Sequence, residues 1–324
     1  MKKLLTAILT TAAAVPTWLS SPAFGQKTVN IAFGDFDHWV VREIQESGAI
    51  GGNVQRIYEI GPDQVIRGDA PYRRNPQSPW GTSNVMAKVS GITKCSATVF
   101  PEKRGNGRCA RLDTRMETVK VLGMMNISVL ASGSIFLGDM IEPIKDTKNP
   151  QAKLNQGVPF TGRPTALVMD YKYRTDGSKT RIKATGFSSQ KTVAGQDYAD
   201  VVLLLQKRWE DAEGNVYAHR VGTATERIGT NTPEWIDGHA IEIRYGDLTR
   251  DPATFRSEMG LVDGERAYWC RNSKGRMVPI REIGWAAADE QPTHMILQIS
   301  SSYGGAYVGT VGNSLWVDNV KLRY

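Results

Sequence analysis

Tryptophan and tyrosine side chains are the residues of this sequence best suited to binding a ligand. Trp235 lies in TPEWIDGH, and Tyr268 and Trp269 lie in RAYWCRNSKG, so all three adjoin turn residues and hydrogen-bonding side chains. Trp80 follows a proline-rich stretch. Sugars present apolar C–H faces that stack on exposed aromatic rings, and their hydroxyls bond to planar polar groups nearby. These four residues predict a sugar-binding surface, although core packing is the commoner role of any one tryptophan.

Paired carboxylates are the second chemical possibility, because glycoside hydrolysis needs one acid and one base or nucleophile beside the bond. The sequence has 33 acidic residues, so some pair can always be found on paper. The candidates in turn-like contexts are Glu210–Asp211, Asp289–Glu290 and Asp35–Asp37. We expect these acids to be solvated, and no catalytic pair is identified.

The sequence lacks the signatures of several other kinds of site. It contains no nucleophile elbow, phosphate loop or His-Glu-x-x-His zinc pair, and its four histidines are scattered. Removal of Lys2 and Lys3 from the 40 basic residues leaves 38 against 33 acidic residues, a net charge of +5 that is spread along the chain. Without a basic stripe or a known nucleic-acid module, we expect no nucleic-acid partner.

The first 25 residues predict export by a signal peptide. Lys2 and Lys3 precede an apolar run at residues 4–15, and residues 23–25 supply the small side chains of a cleavage site. The run is too short to cross a bilayer of roughly 30 Å, and no cysteine follows it as an acylation site. We expect an unlipidated mature chain without a transmembrane segment, in the periplasm, on the cell surface or outside the cell.

Strand-like alternation dominates residues 26–324. Polar and apolar residues alternate in TALVMDYKYR, AIEIRYG and HMILQIS, whereas VVLLLQKRW is apolar on both faces, as in a central strand. The Gly214-Asn215 turn predicts a hairpin, while VVREIQESG and Asp251-Pro252 suggest two of a few short helices. We predict one all-β domain, an antiparallel β-sandwich. Two long proline-rich loops, at 60–84 and 140–164, either pack across one end or take part in binding.

The three cysteines are too few for a disulfide framework. Cys95 and Cys109 flank a turn-like segment, so an exported chain could close a bridge worth about 3 kcal/mol. Two unbridged core cysteines are an equal alternative at these positions. We expect Cys270 to be unpaired.

Asp318 does not fit the pattern of the last strand. Strict alternation in LWVDNVKLRY places Asp318 on the apolar face with Trp316, Val320 and Leu322. A carboxylate is not buried without a partner, so Asp318 needs a donor, a cation or a bulge that turns it outward. The same phase places Trp316 in the core and excludes it from ligand binding.

Six blocks of the sequence resemble, in the same order, the putative carbohydrate metabolism domain family, which occurs mainly in exported proteins of Bacteroidetes. The blocks are PWGTSN, VFPEKRGNGRCARLDTR, SGSIFLGDMIEPI, ATGFSS, LLLQKRWEDAEGNVYAHRVG and SSYGGAYVGTVGNSLWVDNVKLRY. The similarity is clearest over residues 80–324. It implies a jelly-roll-like sandwich similar to carbohydrate-binding modules, and it transfers no catalytic residues.

The resemblance also implies a role for two aspartates. Many carbohydrate-binding sandwiches pair an N-terminal Gly-Asp-Phe-Glu strand with a C-terminal Val-Asp-Asn-Val strand, and their acids can meet at a structural calcium. Residues 34–37 and 317–320 match these strands, with Asp37 in place of the glutamate. Asp37 and Asp318 are therefore expected to lie together, held by backbone donors or by calcium, and to tie the chain ends.

These observations predict an exported glycan-binding protein of a carbohydrate utilisation system. Its partner would be a poly- or oligosaccharide stacked on Trp235, Trp269, Tyr268 and Trp80, and no cofactor beyond a structural calcium would be required. One alternative is a glycoside hydrolase with an unidentified carboxylate pair. The other is a structural or adhesive surface protein whose sandwich contacts other proteins.

Overall fold

The computed structural model describes residues 27–121, 125–186 and 189–324, so the predicted signal peptide at 1–25 lies outside the described residues. In the described ranges the chain forms 26 β-strands and five single-turn 3-10 helices, which confirms the predicted all-β class. No helix in these ranges is long and apolar enough to span a membrane.

The strands, in chain order, are β1 (Thr28–Asn30), β2 (Trp39–Gln45), β3 (Val54–Ile60), β4 (Gln64–Arg67), β5 (Trp80–Thr82), β6 (Val85–Val89), β7 (Ile92–Ser96), β8 (Val99–Arg104), β9 (Gly107–Val121), β10 (Met125–Ser132), β11 (Ser134–Met140), β12 (Leu154–Gln156), β13 (Val158–Pro159), β14 (Ala166–Arg174), β15 (Thr180–Lys183), β16 (Thr185–Gly186), β17 (Lys191–Ala194), β18 (Ala199–Glu210), β19 (Val216–Ile228), β20 (Ile236–Glu242), β21 (Arg244–Tyr245), β22 (Trp269–Arg271), β23 (Met277–Trp285), β24 (His294–Ser300), β25 (Val308–Gly309) and β26 (Ser314–Arg323). The 3-10 helices are Gly48–Ile50, Pro150–Lys153, Leu248–Arg250, Ser257–Met259 and Gly264–Arg266.

Two large sheets enclose the main hydrophobic core. One has the order β16-β10-β9-β26-β14-β20, with β1 on β26 and β8 on β9, and the other has the order β12-β11-β24-β18-β19-β23-β22. Leu167 and Leu322 of the first sheet share one buried cluster with Leu203 and Leu297 of the second. Strand pairs are antiparallel except β19–β23 and β2–β4. The predicted antiparallel β-sandwich is confirmed.

Local alternation correctly predicted the faces of several strands. On β14, Leu167, Met169, Tyr171 and Tyr173 all point into the core, as the period of two requires. Strand β18 is central, between β24 and β19, and it is buried on both faces: residues 201, 203 and 205 join the main core, while Leu204 joins a second cluster on the other side. Strands β18 and β19 form the predicted hairpin.

Both predicted helices are wrong. VVREIQESG forms β2, whose alternate residues Val40, Arg42 and Ile44 are buried, and the pattern was hidden because one of the three is an arginine. No helix begins at Asp251, whose carboxylate accepts from Ala253 N and Thr254 Oγ1 in a tight turn. Such local side-chain bonds compete with helix formation.

A buried ion cluster fixes the two proline-rich segments to the sandwich. Arg42 donates to Glu142 at 2.9 and 2.7 Å and to Glu59 at 3.1 Å, and all three side chains are at most 5% exposed. Glu142 also accepts from the backbone N–H groups of Tyr72 and Met86. The described contacts of segments 60–84 and 140–164 therefore support packing, because both segments add strands and partners to the fold.

Glu59 is the carboxyl group of this cluster that titrates abnormally. Burial, reinforced by the charge of Glu142 and opposed by Arg42, raises the pKa of Glu59 to about 8. The Thr82 hydroxyl lies 2.9 Å from Glu59 Oε2 and 3.2 Å from the Tyr58 carbonyl oxygen, and its single proton can serve only one of them. A protonated Glu59 can donate to that hydroxyl, which leaves the hydroxyl proton for the carbonyl.

Glu59→Gln should change how stability depends on pH. Because the folded-state pKa is raised above the unfolded value of about 4.3, the free energy of unfolding of the wild type should fall as the pH rises from about 5 to about 8. Each unit of pKa difference is worth about 1.4 kcal/mol. We expect Glu59→Gln to gain stability relative to the wild type over this range in urea unfolding. A stability difference that is constant with pH, or one shared by the control Glu43→Gln on the neighbouring strand β2, would contradict this account.

All three cysteines are buried and free, so the bridge between Cys95 and Cys109 does not form. Cys95 pairs with Met86 in the β6–β7 hairpin, and Cys109 pairs with Glu102 in the β8–β9 hairpin. The segment between the cysteines therefore joins two separate hairpins instead of closing a single one.

The thiols should be unreactive in the folded protein. Burial raises the pKa of Cys95 and Cys109 to about 12 and raises that of Cys270 as well, and the thiolate is the nucleophilic form. We expect a thiol reagent at pH 8 to modify the native protein far more slowly than the unfolded protein, which should titrate three thiols. Fewer than three after unfolding without reductant would point to a bridge.

Candidate functional site

Trp80, one of the four predicted ligand-binding residues, is part of the core. It is 1% exposed, its indole N–H donates to the Ala32 carbonyl at 2.9 Å, and the Phe36 ring packs against it at a centroid distance of 5.4 Å. A ring enclosed in this way cannot stack on a sugar, so this part of the prediction is corrected. The reason is that β5 pairs with β11 inside the sandwich.

The other three predicted residues do not form one surface. Trp235 is half-buried just before β20 of the first sheet, and the Arg104 guanidinium lies 3.9 Å from its ring centroid. Tyr268 and Trp269 belong to the other sheet, where Tyr268 packs against the second cluster and burial raises its pKa. Trp269 is half-buried opposite Pro279. These rings therefore lie on different sheets and present little free face.

A bulge resolves the position of Asp318. Lys321 of β26 lies opposite Val168 of β14, and Asp318 lies opposite Asp170. Strand β26 therefore has one more residue than β14 between these two pairs, and Asn319 in the bulge has a left-handed backbone with φ 52°. Leu315 and Val317 before the bulge, and Val320 and Leu322 after it, all face the core. The bulge turns Asp318 to the outer face.

The predicted core position of Trp316 is wrong for the same reason. The bulge reverses the side-chain phase of β26, so Trp316 shares the outer face with Asp318. Trp316 is half-buried, and its indole N–H donates to Glu102 at 2.8 Å. Lys172 and Arg174 lie over its ring at 5.9 and 5.5 Å from the centroid.

Arg104 supplies the cation that Asp318 needs. Asp170 and Asp318 face each other on β14 and β26, and Arg104 Nη1 donates to both carboxylates, at 2.8 and 2.6 Å. Its Nη2 donates to Asp237 at 2.5 Å. Burial raises the pKa of Asp318 against the effect of Arg104. Burial also acts on Asp170, but hydrogen bonds that include those from Gly238 N and Arg104 hold its pKa below the usual range.

The predicted pairing of Asp37 with Asp318 is not formed. Asp37 is exposed and accepts from Arg108 N at 2.7 Å, and no group of three His, Cys, Asp or Glu side chains in the described ranges could hold a metal ion. The chain ends are nevertheless tied together, because β1 pairs with β26. A Cβ on Gly34 would lie 2.6 Å from the Val320 carbonyl oxygen, so this contact requires glycine.

An exposed indole lies on the β18–β19 hairpin instead, beside half-buried Tyr217 and His219. Trp209 is 40% exposed, more than any other tryptophan in the described ranges. Its ring lies 5.9 Å from that of Tyr217 at 22°, and 5.0 Å from that of His219 at 66°. We call Trp209, Tyr217 and His219 the aromatic platform.

The hairpin exposes these rings because it extends beyond the core. Leu203 and Leu205 on β18 face the main core, and alternation puts Lys207 and Trp209 on the same face of the strand. Lys207 and Trp209 are both exposed. This end of the hairpin therefore lacks the cover that the first sheet gives to Leu203 and Leu205. An aromatic pair across two strands also stabilises the hairpin.

Planar polar groups border the aromatic platform. Lys207 donates to Glu290 at 2.7 Å, and Lys207, with a weaker contribution from His219, holds the pKa of Glu290 below its usual range. Arg281 of β23 lies opposite Tyr217, its guanidinium 5.8 Å from the ring centroid. Aromatic faces beside carboxylate, ammonium and guanidinium groups can bind the apolar and polar sides of one sugar ring.

A fully buried ion pair supports the sheet beneath the aromatic platform. Arg220, the next residue after His219, pairs with Glu282, the residue after Arg281, and both side chains are 0% exposed. Gln206 donates to Glu282 at 2.6 Å and joins β18 to this pair. These bonds fix three neighbouring strands from the opposite face, so the rings stand on a rigid base.

A separate open cleft of about 680 Å³ lies between residues 37–41 and 101–108. Its tryptophan, Trp39, is 2% exposed and offers no ring face. Both oxygens of Glu102 are already bonded, to Arg111 and to Trp316. The cleft therefore provides neither a stacking surface nor a free pair of acids.

The sequence analysis did not identify Trp209 as a candidate. The available signal was the continued alternation in QKRWEDAEGNVYAHR after the apolar run ended. That alternation says that Lys207 and Trp209 continue the inward face of β18, but it does not say where the opposing sheet stops.

A family model described as putative carbohydrate metabolism domain matches residues 36–236. The matched range includes the three rings of the aromatic platform, whereas Arg281 and Glu290 lie beyond it. No curated protein matches the chain.

The solved structures that are similar to this chain include two from Bacteroides. A putative glycoside hydrolase from Bacteroides thetaiotaomicron is 18% identical, with a TM-score of 0.46 over 88% of this chain and 70% of its own. A putative glycoside hydrolase from Bacteroides vulgatus is 14% identical, with a TM-score of 0.41 over 92% of this chain and 95% of its own.

Arg104→Met should destabilise the protein by about 2–4 kcal/mol, because it leaves two neighbouring carboxylates buried without a cation. Adding Asp170→Asn should recover part of that loss by removing one of the charges. Thermal melts with and without a chelator complete the experiment. If a chelator lowers the melting temperature of the wild type, calcium contributes to stability as predicted. If Arg104→Met has no effect on stability, Arg104 does not neutralise Asp170 and Asp318 as described.

Proposed function

Because the chain belongs to the putative carbohydrate metabolism domain family, we propose that it is an exported protein that binds a glycan on the aromatic platform. The observation that carries the proposal is Trp209, an exposed indole stacked beside a second ring on a rigid hairpin. The predicted signal peptide would deliver this surface to the periplasm or the cell exterior, as a carbohydrate utilisation system requires.

The chemistry of the aromatic platform fits a sugar. A pyranose ring would place its C–H face on Trp209, and its hydroxyls would bond to Glu290, Lys207 and His219 at the border. Stacking would contribute about 1 kcal/mol beyond burial, by analogy with aromatic pairs. Affinity should be modest, because an open surface buries little area and sugar hydroxyls must give up water.

Hydrolysis is the second candidate function, and the acids near the aromatic platform favour it less. A general acid needs a raised pKa, and a pair of acids must flank the bond at roughly 5–9.5 Å. Glu290 is paired with Lys207, and hydrogen bonds from Ser273 and Asn215 lower the pKa values of Glu210 and Asp211 respectively. All three acids are therefore suited to accepting hydrogen bonds from hydroxyls.

Trp209→Ala should weaken glycan binding roughly tenfold and leave the protein folded, with only a small fall in melting temperature, because Trp209 lies outside the buried core and contributes only a cross-strand pair to the hairpin. The measurement is calorimetric titration of each glycan that the mature protein binds on a polysaccharide array. Trp235→Ala and Trp269→Ala are matched controls, which also test the residues predicted from sequence.

Binding that depends on Trp235 or Trp269 and not on Trp209 would move the site to those residues. Release of reducing sugar, abolished by Glu290→Gln or another single acid-to-amide change, would establish the hydrolase. If the protein binds no glycan but binds another protein tightly, the structural or adhesive surface protein would be the better account.

A further inference from the structure

One charged side chain continues the row of aromatic rings. Trp209 of β18 pairs with Tyr217 of β19, and Tyr217 pairs with Arg281 of β23, so the three residues form a line across three neighbouring strands. The Arg281 guanidinium lies 5.8 Å from the Tyr217 ring centroid. A ligand stacked on Trp209 and extending along this line would reach Arg281.

Arg281 differs from Lys207 and Arg220 in having no carboxylate partner. Lys207 pairs with Glu290 and Arg220 with Glu282, whereas exposed Arg281 forms no ion pair within the described part of the chain. A guanidinium presents five N–H donors in a planar fork that matches a carboxylate or a sulfate. An unpaired guanidinium beside a stacking surface is suited to binding an anionic substituent.

Three further exposed cations lie on the adjoining β22–β23 turn. Arg271, Lys274 and Arg276 donate to the backbone carbonyls of Gly275, Ala212 and Glu213, and none forms an ion pair with a described residue. The latter two bonds fasten this turn to the turn of the β18–β19 hairpin. The cations therefore occupy the same end of the sheet as the aromatic platform.

Two acids at this end, Glu210 and Asp211, are engaged with neutral donors. Glu210 accepts from Ser273 N and Oγ at 2.9 and 2.6 Å, and Asp211 accepts from Asn215 N and Nδ2 at 2.8 Å each. Their oxygens are thereby held within the turns, and none of them is bonded to Arg281.

We propose that the glycan bound on the aromatic platform is acidic, and that Arg281 binds its carboxylate or sulfate group. This inference rests on the proposed function, because it names the substrate class of the same site. Stacking on Trp209 would select a sugar ring, and Arg281 would select its charge. The basic β22–β23 turn would raise the local concentration of a polyanion.

The test uses the mature protein and pairs of polysaccharides that differ only in charge. The first pair is polygalacturonate and its carboxyl-reduced form, and the second is a sulfated galactan and its desulfated form. Each glycan that binds on the array, and whose binding depends on Trp209, is added to these pairs together with a counterpart that lacks its charged groups. The pair that shows the charge preference identifies the group as carboxylate or sulfate.

We expect the acidic member of at least one pair to bind about tenfold more tightly, with an affinity that falls as salt is raised. Arg281→Gln should remove most of this preference, because it should weaken binding of the acidic member far more than binding of the neutral member. Arg256→Gln makes the same change in net charge at an exposed arginine outside the aromatic platform, and it should retain the preference. Circular dichroism checks that both variants are folded.

Three results would overturn the inference. They are Trp209-dependent binding confined to neutral glycans, equal affinity for both members of every pair, and a charge preference that survives Arg281→Gln. In each of them binding still depends on Trp209, so the proposed function stands. Loss of all Trp209-dependent binding would instead remove the proposed function, and this inference with it.

Discussion

Two aspartates buried opposite each other on neighbouring strands set the strongest constraint on the first sheet. Asp170 and Asp318 repel each other unless a cation lies between them, and Arg104 provides that cation. Because Arg104 ends β8, neutralising the pair holds the β8–β9 hairpin against β26 and β14. Its contacts with Asp237 and Trp235 extend the same anchor to β20. The bulge beside Asp318 then lets β26 return its apolar residues to the core.

Buried arginines recur as connectors in this fold. Arg42 joins β2 to β3 through Glu59 and to the proline-rich segment 140–164 through Glu142, and Arg220 joins β19 to β23 through Glu282. Each is neutralised by carboxylates, because an unpaired charge would be costly inside the protein. Arg281 has no such partner among the described residues, although it lies on β23, one of the strands that Arg220 holds together. This contrast between neutralised and free guanidinium groups is why an anionic ligand is assigned to the exposed one.

The candidate site arises from a mismatch in strand length. The β18–β19 hairpin continues past the region that the first sheet covers, so the face that carries leucines in the core carries exposed Trp209 and half-buried Tyr217 at this end. Cross-strand pairing aligns the rings, and the ion pair of Arg220 and Glu282 stiffens the sheet from the other side. The proposed glycan surface needs no enclosed pocket, which would suit a long polymer that passes over the protein.

The sequence by itself determined the all-β class, the inward faces of β14, β18 and β24, and the hairpin at Gly214-Asn215, because these follow from alternation and turn residues along a short stretch of chain. Its ordered blocks also indicated the family. Only the tertiary structure decided that Trp80 is enclosed, that Trp316 faces outward, that Arg104 neutralises Asp318 and that Trp209 is exposed. Each of these depends on a distant residue, on a bulge of one residue, or on where the opposing sheet ends, and local periodicity carries none of that information.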